Sequence, residues 1–156
     1  MFLPNTLIDD VRLLARHHVK TYGDLLDGPT DVRAVAKALG IYLRSHPFPQ
    51  DREFRGALYI DDDDFRLIVV NKLLPPGQWM FTVAHEIGHV ALEHRGARQG
   101  WQEHAANVYA AELLMPADRM RNLVRQHGRD LFTLAAANCV SFQALRSRLE
   151  ELGLAG

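Results

Sequence analysis

The chain has a single cysteine, Cys139, among its 156 residues, which excludes an internal disulfide and suits a reducing compartment. No stretch approaches the roughly 18 apolar residues of a membrane span. The opening segment from Met1 to Asp10 has neither the basic stretch nor the apolar core of a signal peptide. A cytoplasmic protein without membrane contact is expected. Charge of one sign is also lacking: 18 Lys and Arg against 19 Asp and Glu leave a formal net charge of -1, too little to draw the whole molecule onto nucleic acid or anionic lipid. Internal repeats and low-complexity segments are absent. What remains is a chain of single-domain length that is 47% hydrophobic, enough for a sizeable core. One domain is expected over residues 1–156, with helices and a small sheet in 1–76, a pair of helices carrying the chemistry in 77–116, and a helical part in 117–156.

Thr6 with Asp9 reads as a helix start, and Leu7, Val11, Leu14 and His18 repeat on one stripe, predicting a helix to about Lys20. Gly28-Pro29-Thr30 breaks the chain and caps a second helix over 31–39, ended by Gly40. A short strand follows over 41–44. Two apolar runs, 57–60 and 65–70, flank Asp61-Asp62-Asp63-Asp64 and predict a β-hairpin with an acidic tip. The EF-hand spacing, with its central Gly and distal Glu, is missing, so the four aspartates read as a solvated turn. Pro75-Pro76-Gly77 starts a helix over about 78–93. Another is expected over 101–115, interrupted by Pro116, and further helices follow with breaks near Gly128 and Val140.

The chemistry is concentrated in His85-Glu86-Ile87-Gly88-His89. Two histidines at i and i+4 project from one helical face and can share a tetrahedral metal. Glu86 then stands beside the open coordination position, where a carboxylate can take a proton from water and pass it to a leaving amine. Phe81, His85, Gly88 and Leu92 share a stripe expected to face inward. A catalytic zinc normally has three protein ligands. If the chain folds back after His94, the next helix presents Glu103, Asn107, Ala110 and Leu114 on its facing stripe, which makes Glu103 the third ligand. Glu112 lies nine residues on, on the opposite side at about 100° per residue. Glu93 and His104 are weaker substitutes that read as solvated helix residues. His94 follows His89 by five residues, not the six that a three-histidine metzincin pattern requires, and Leu92 stands where that pattern needs Gly. Asn107, one turn beyond Glu103, is placed to bond the free ring nitrogen of a liganding histidine. Tyr59 and Tyr109 are candidate oxyanion donors, against the commoner reading of each as a core tyrosine with a satisfied hydroxyl.

The run Phe81-Thr82-Val83-Ala84-His85-Glu86-Ile87-Gly88-His89, together with Glu103 to Pro116 ending in Leu113-Leu114-Met115-Pro116, resembles the ImmA/IrrE-like metallopeptidases of bacteria and phages. Weaker likeness extends over about residues 30–155. The resemblance implies a zincin-like α+β fold, with a small antiparallel or mixed sheet beside the motif helix and an edge strand lining the cleft. It also implies Zn2+ as cofactor, Glu103 as third ligand beside His85 and His89, and a helix-turn-helix transcriptional repressor as the protein substrate. Tyr109 stands where the family commonly has Phe, which favours core packing for that ring. No separate DNA-binding or sensor domain fits within this length.

The expected activity is therefore zinc-dependent endopeptidase cleavage of a repressor, with Glu86 as general base and an extended substrate segment adding to a sheet edge near 56–59. The alternative is a non-catalytic metal-containing binding module or toxin–antitoxin partner that contacts a repressor or DNA. Nucleic-acid contact, if any, falls to the C-terminal helices around 131–137 and 142–152, whose spacing is helix-turn-helix-like but whose basic excess is small.

Overall fold

In the computed structural model, which describes residues 5–25 and 28–155 and the side chains from Leu7 onward, the elements run α1 (Asn5–His18), α2 (Val32–Ala38), β1 (Ile41–His46), β2 (Gly56–Ile60), β3 (Arg66–Asn71), α3 (Pro76–Ala91), α4 (Gly100–Leu114), α5 (Ala117–His127), α6 (Leu131–Asn138) and α7 (Phe142–Glu151). The expected capping role of Thr6 and the reading of the first four residues lie outside the described part. The class is α+β with a small mixed three-stranded sheet.

The sheet order is β1-β3-β2, with β3 parallel to β1 and antiparallel to β2. The acidic hairpin joins β2 and β3 as its turn chemistry requires. Asp61 Oδ1 accepts from the backbone N–H of Asp63 and Phe65 at 3.0 and 2.8 Å, the Asx-turn arrangement that lets Asp compete with a strand ladder. Asp64 takes a positive φ of 63° and pairs with Arg66 and Arg95, so this corner is tied by ion pairs as well as solvated. Ile68 and Val70 of β3 and Ile41 of β1 are buried against α2 and α3. β2 is an edge strand, as the sequence led us to expect for 56–59, and its first residue abuts α3: a Cβ added at Gly56 would lie 2.7 Å from Thr82 Cγ2.

Several boundaries differ from the sequence reading for local reasons. α1 passes into a π-helical turn over Val19–Gly23. Thr30 does not cap α2; Asp31 does, accepting from Ala34 N at 3.0 Å, because the Thr30 hydroxyl is committed to Leu113 O at 2.7 Å. α3 begins at Pro76, earlier than expected, with proline in the first turn where its missing N–H costs nothing.

α3 and α4 form an antiparallel pair with the most extensive helix–helix contact in the molecule, and α1 crosses α4 on its other side. Ala105, Ala106 and Ala110 of α4 are fully or almost fully buried. Side chains this short let the helices approach closely, and Gly88 completes the seam: a Cβ there would lie 3.0 Å from Tyr109 Cδ1 and 3.2 Å from Ala106 O. Val83, Ala84 and Ile87 fill the core between this pair and the sheet, each contributing on the order of 1–3 kcal/mol by leaving water.

Candidate metal centre

The α3–α4 pair faces His85 and His89 of one helix toward Glu103 of the other. Ligand-capable atoms of these three residues all lie within 4.8 Å of one another, the one such group of His, Cys, Asp or Glu found among the described residues. His85 Nε2 is 3.1 Å from His89 Nε2 and 3.1 Å from Glu103 Oε2, and His89 Nε2 is 2.9 Å from Glu103 Oε1. Donors sharing one tetrahedral zinc at about 2.0–2.1 Å stand about 3.3 Å apart. The observed separations of 2.9–3.1 Å are within about 0.4 Å of that spacing.

Protonation supports the fit. His85 Nδ1 donates to Asn107 Oδ1 at 2.7 Å, and in a neutral ring with its one proton there the lone pair is on Nε2, the atom near the other two groups. His89 is fully buried, and burial first, then the Arg98 charge and the neighbouring histidines, push its pKa down to about 3. The contact with Glu103 is therefore not an ion pair at neutral pH. Glu103 Oε1 is itself buried without a hydrogen-bond partner. Lone pairs converging at these distances repel unless a cation lies between them, so the donor set fits a divalent ion.

Glu86 is 5% exposed and receives two bonds from the Arg98 guanidinium, at 3.2 and 2.5 Å. Arg98 also lies 3.7 Å from Glu103 Oε1. The guanidinium occupies two of the roughly four lone-pair directions of the Glu86 carboxylate and leaves the others for water.

The remaining residues singled out from sequence fall in different places. Asn107 reaches His85 as its helical spacing suggested. Glu112 is fully buried away from the triad, bonded to Arg16 and Arg148. Glu93 and His104 are exposed, and Glu93 holds a φ of 60° just past the end of α3. Tyr109 is fully buried, with its hydroxyl 2.7 Å from His18 Nδ1; burial raises its pKa, and it is a core residue. Tyr59 is 58% exposed on β2. Two residues near the site were missed. His94 is 9% exposed with its Nδ1 2.9 Å from His89 Nδ1; its five-residue offset from His89 is the available signal, since that spacing argues against a third histidine ligand but not against a contact with the His89 ring. Arg98 sits in an irregular connection that carries no periodicity to read.

Among the described residues no helix is long and apolar enough to cross a membrane. Residues 36–150 match a peptidase family described as the IrrE N-terminal-like domain. The chain is also 31% identical over 139 residues to the radiation response metalloprotease IrrE of Deinococcus deserti, an alignment covering 80% of this chain and 47% of that protein. It thus spans about half the length of the curated relative it matches. With both motif blocks inside the matched region, the chain belongs to the ImmA/IrrE-like metallopeptidase family.

Proposed function

We propose that this chain is a zinc-dependent endopeptidase of zincin-like fold, with His85, His89 and Glu103 holding the metal and Glu86 as general base. The observation that carries the reading is the meeting of two histidine ring nitrogens and a glutamate carboxylate at about 3 Å, with a buried carboxylate on the residue next to one of them. A bound zinc would supply Lewis acidity toward a carbonyl and a water molecule. Glu86 accepts the proton released by the attacking water at a carboxylate oxygen and returns it to the leaving amine. Asn107 holds the His85 ring in the tautomer that can ligate.

Substrate access is supported by two adjoining features. The free edge of β2 begins beside Thr82, one turn before His85. From the same place a groove of 670 Å³ runs between α3, α4 and α7, lined by residues including Arg55, Phe81, Thr82, Asn107 and Val108. An extended segment can add to the strand edge and lay its side chains in the groove. Such a site accepts only a chain that can become extended, which favours a linker or loosened helix. The proposed substrate, carried by family resemblance, is a helix-turn-helix repressor in the cytoplasm, and the C-terminal helices offer a surface that could select it.

The test is co-expression with helix-turn-helix repressors of the source genome, comparing the parent with Glu86→Gln. The amide keeps shape but cannot take the proton, so Glu86→Gln should retain zinc and fold while cleavage falls by at least about a hundredfold. One cut in the repressor and little action on casein are expected. Cleavage by Glu86→Gln at the parent rate would remove Glu86 as base, and unselective digestion of casein would remove the narrow specificity.

A further inference from the structure

We propose that His94 is a positioning residue for His89, accepting a hydrogen bond at its Nδ1 and thereby fixing the ring that ligates the metal. The inference rests on the metal-site reading above. It starts from the way α3 ends. Leu92 is the cap residue, and Glu93 turns into the left-handed region at φ 60°. The backbone N–H of His94 then returns to His89 O at 2.9 Å. This six-to-one closure of a helix end normally lays the residue after the turn over the one five positions earlier. Here it clamps His94 onto His89 at two points, because the rings also meet, Nδ1 to Nδ1 at 2.9 Å. Trp101 of α4 backs the His94 ring edge-on, with centroids 5.5 Å apart, and the ring is 9% exposed.

Two neutral imidazoles in that contact share one proton. If His94 held it at Nδ1, the single proton of His89 would lie on Nε2, facing His85 and Glu103 and covering the lone pair a metal needs. With the proton on His89 Nδ1, His94 Nδ1 accepts, and His89 Nε2 is bare. Each histidine of the triad then has its own acceptor, Asn107 for His85 and His94 for His89, so the two rings are aimed independently. Liganding histidines gain basicity and fixed orientation from such partners, and losing one weakens metal affinity about 10–100-fold.

The experiment measures zinc affinity by competition with a chelator, and melting of the metal-free protein, for the parent, His89→Ala, His94→Phe, His94→Leu and His94→Asn. Phe and Leu fill the space against Trp101 but cannot accept; the Asn Oδ1 can stand where Nδ1 was. Zinc should bind about 10–100-fold more weakly to the Phe and Leu variants, with Asn recovering most of the loss. A merely structural role would shift the melting point and leave Asn no better than Phe. Affinity within about twofold of the parent in both non-accepting variants, or an Asn variant as weak as Phe, overturns the role of His94. Failure of the parent to bind zinc more tightly than His89→Ala overturns the metal site itself, and this inference with it.

Discussion

Glu103 and Glu112 occupy one helix, yet their surroundings give them opposite chemistry. Glu103 faces two histidine nitrogens with one oxygen unpartnered, whereas Glu112 is sealed among Arg16, Arg148 and the backbone N–H of Ala117. Glu103→Ala, like His85→Ala or His89→Ala, should weaken zinc binding strongly, with little change in the melting of the metal-free chain. Glu112→Ala should hold zinc near the parent affinity but lose on the order of 3 kcal/mol of stability, because it removes the buried carboxylate facing Arg148 and leaves that guanidinium with Glu151 as its remaining acidic partner. Metal analysis and urea unfolding on the two variants separate the cases, and a reversal would exchange their roles. The side of α4 that carries Glu103 was legible in the sequence, since helical periodicity alone places Glu103 and Asn107 on one stripe and Glu112 opposite. The partners of Glu112 were not, because Arg16 lies 96 residues away and no local pattern links them. His94 escaped for a different reason: the left-handed turn at Glu93 has no glycine to announce it.

Among the elements, the α3–α4 seam sets the distance between the proposed ligands. Glycine within a helix costs about 1 kcal/mol relative to alanine, so Gly88→Ala should favour the isolated helix. In the folded chain the added methyl meets backbone at Ala106 as well as the Tyr109 ring, and backbone cannot swing aside as a side-chain end can. Gly88→Ala should therefore destabilise by about 1–3 kcal/mol and weaken zinc binding by spreading the histidines from Glu103. Calorimetry and chelator competition would check both, and a more stable variant with parent affinity would show that the helices can part without cost. The elements themselves were mostly recognisable from apolar spacing and from Pro and Gly, with boundary errors of a few residues. The sheet order was not. The parallel pairing of β1 with β3 places β3 between β1 and β2, and that choice is made by packing on α2 and α3, which no strand sequence records.

For the molecule as a whole, buried histidines should shape the pH dependence of stability before any metal is added. His18, His89 and His94 all have pKa values lowered in the fold, each first by burial. The unfolded chain takes up these protons near pH 6.5, while the folded chain does not until lower pH, for His89 about 3. Stability is thus lost as pH falls below about 6.5, by at most about 1.4 kcal/mol per pH unit for each ring. Urea midpoints of the chelator-treated protein should fall between pH 7.5 and 5.5; a rising midpoint would mean that the rings accept protons while folded.

The buried cluster around Glu112 also bears on the order in which the chain can close during synthesis. His85 and Glu103 are 18 residues apart, so a nascent chain that has just released α4 already holds everything the triad requires. Glu112 and Arg16 have then both been made, but Arg148, which seals Glu112 from the other side, is still to be translated, as is Glu151, the partner of both Arg12 and Arg148. Burying Glu112 with its charge only partly matched is costly, and the contact between α1 and α4 should stay open until α7 arrives. The proposed metal ligands can gather early while the back of the molecule waits, so on the proposed reading a ribosome stalled before α7 would carry a chain able to capture an ion without yet being folded around it.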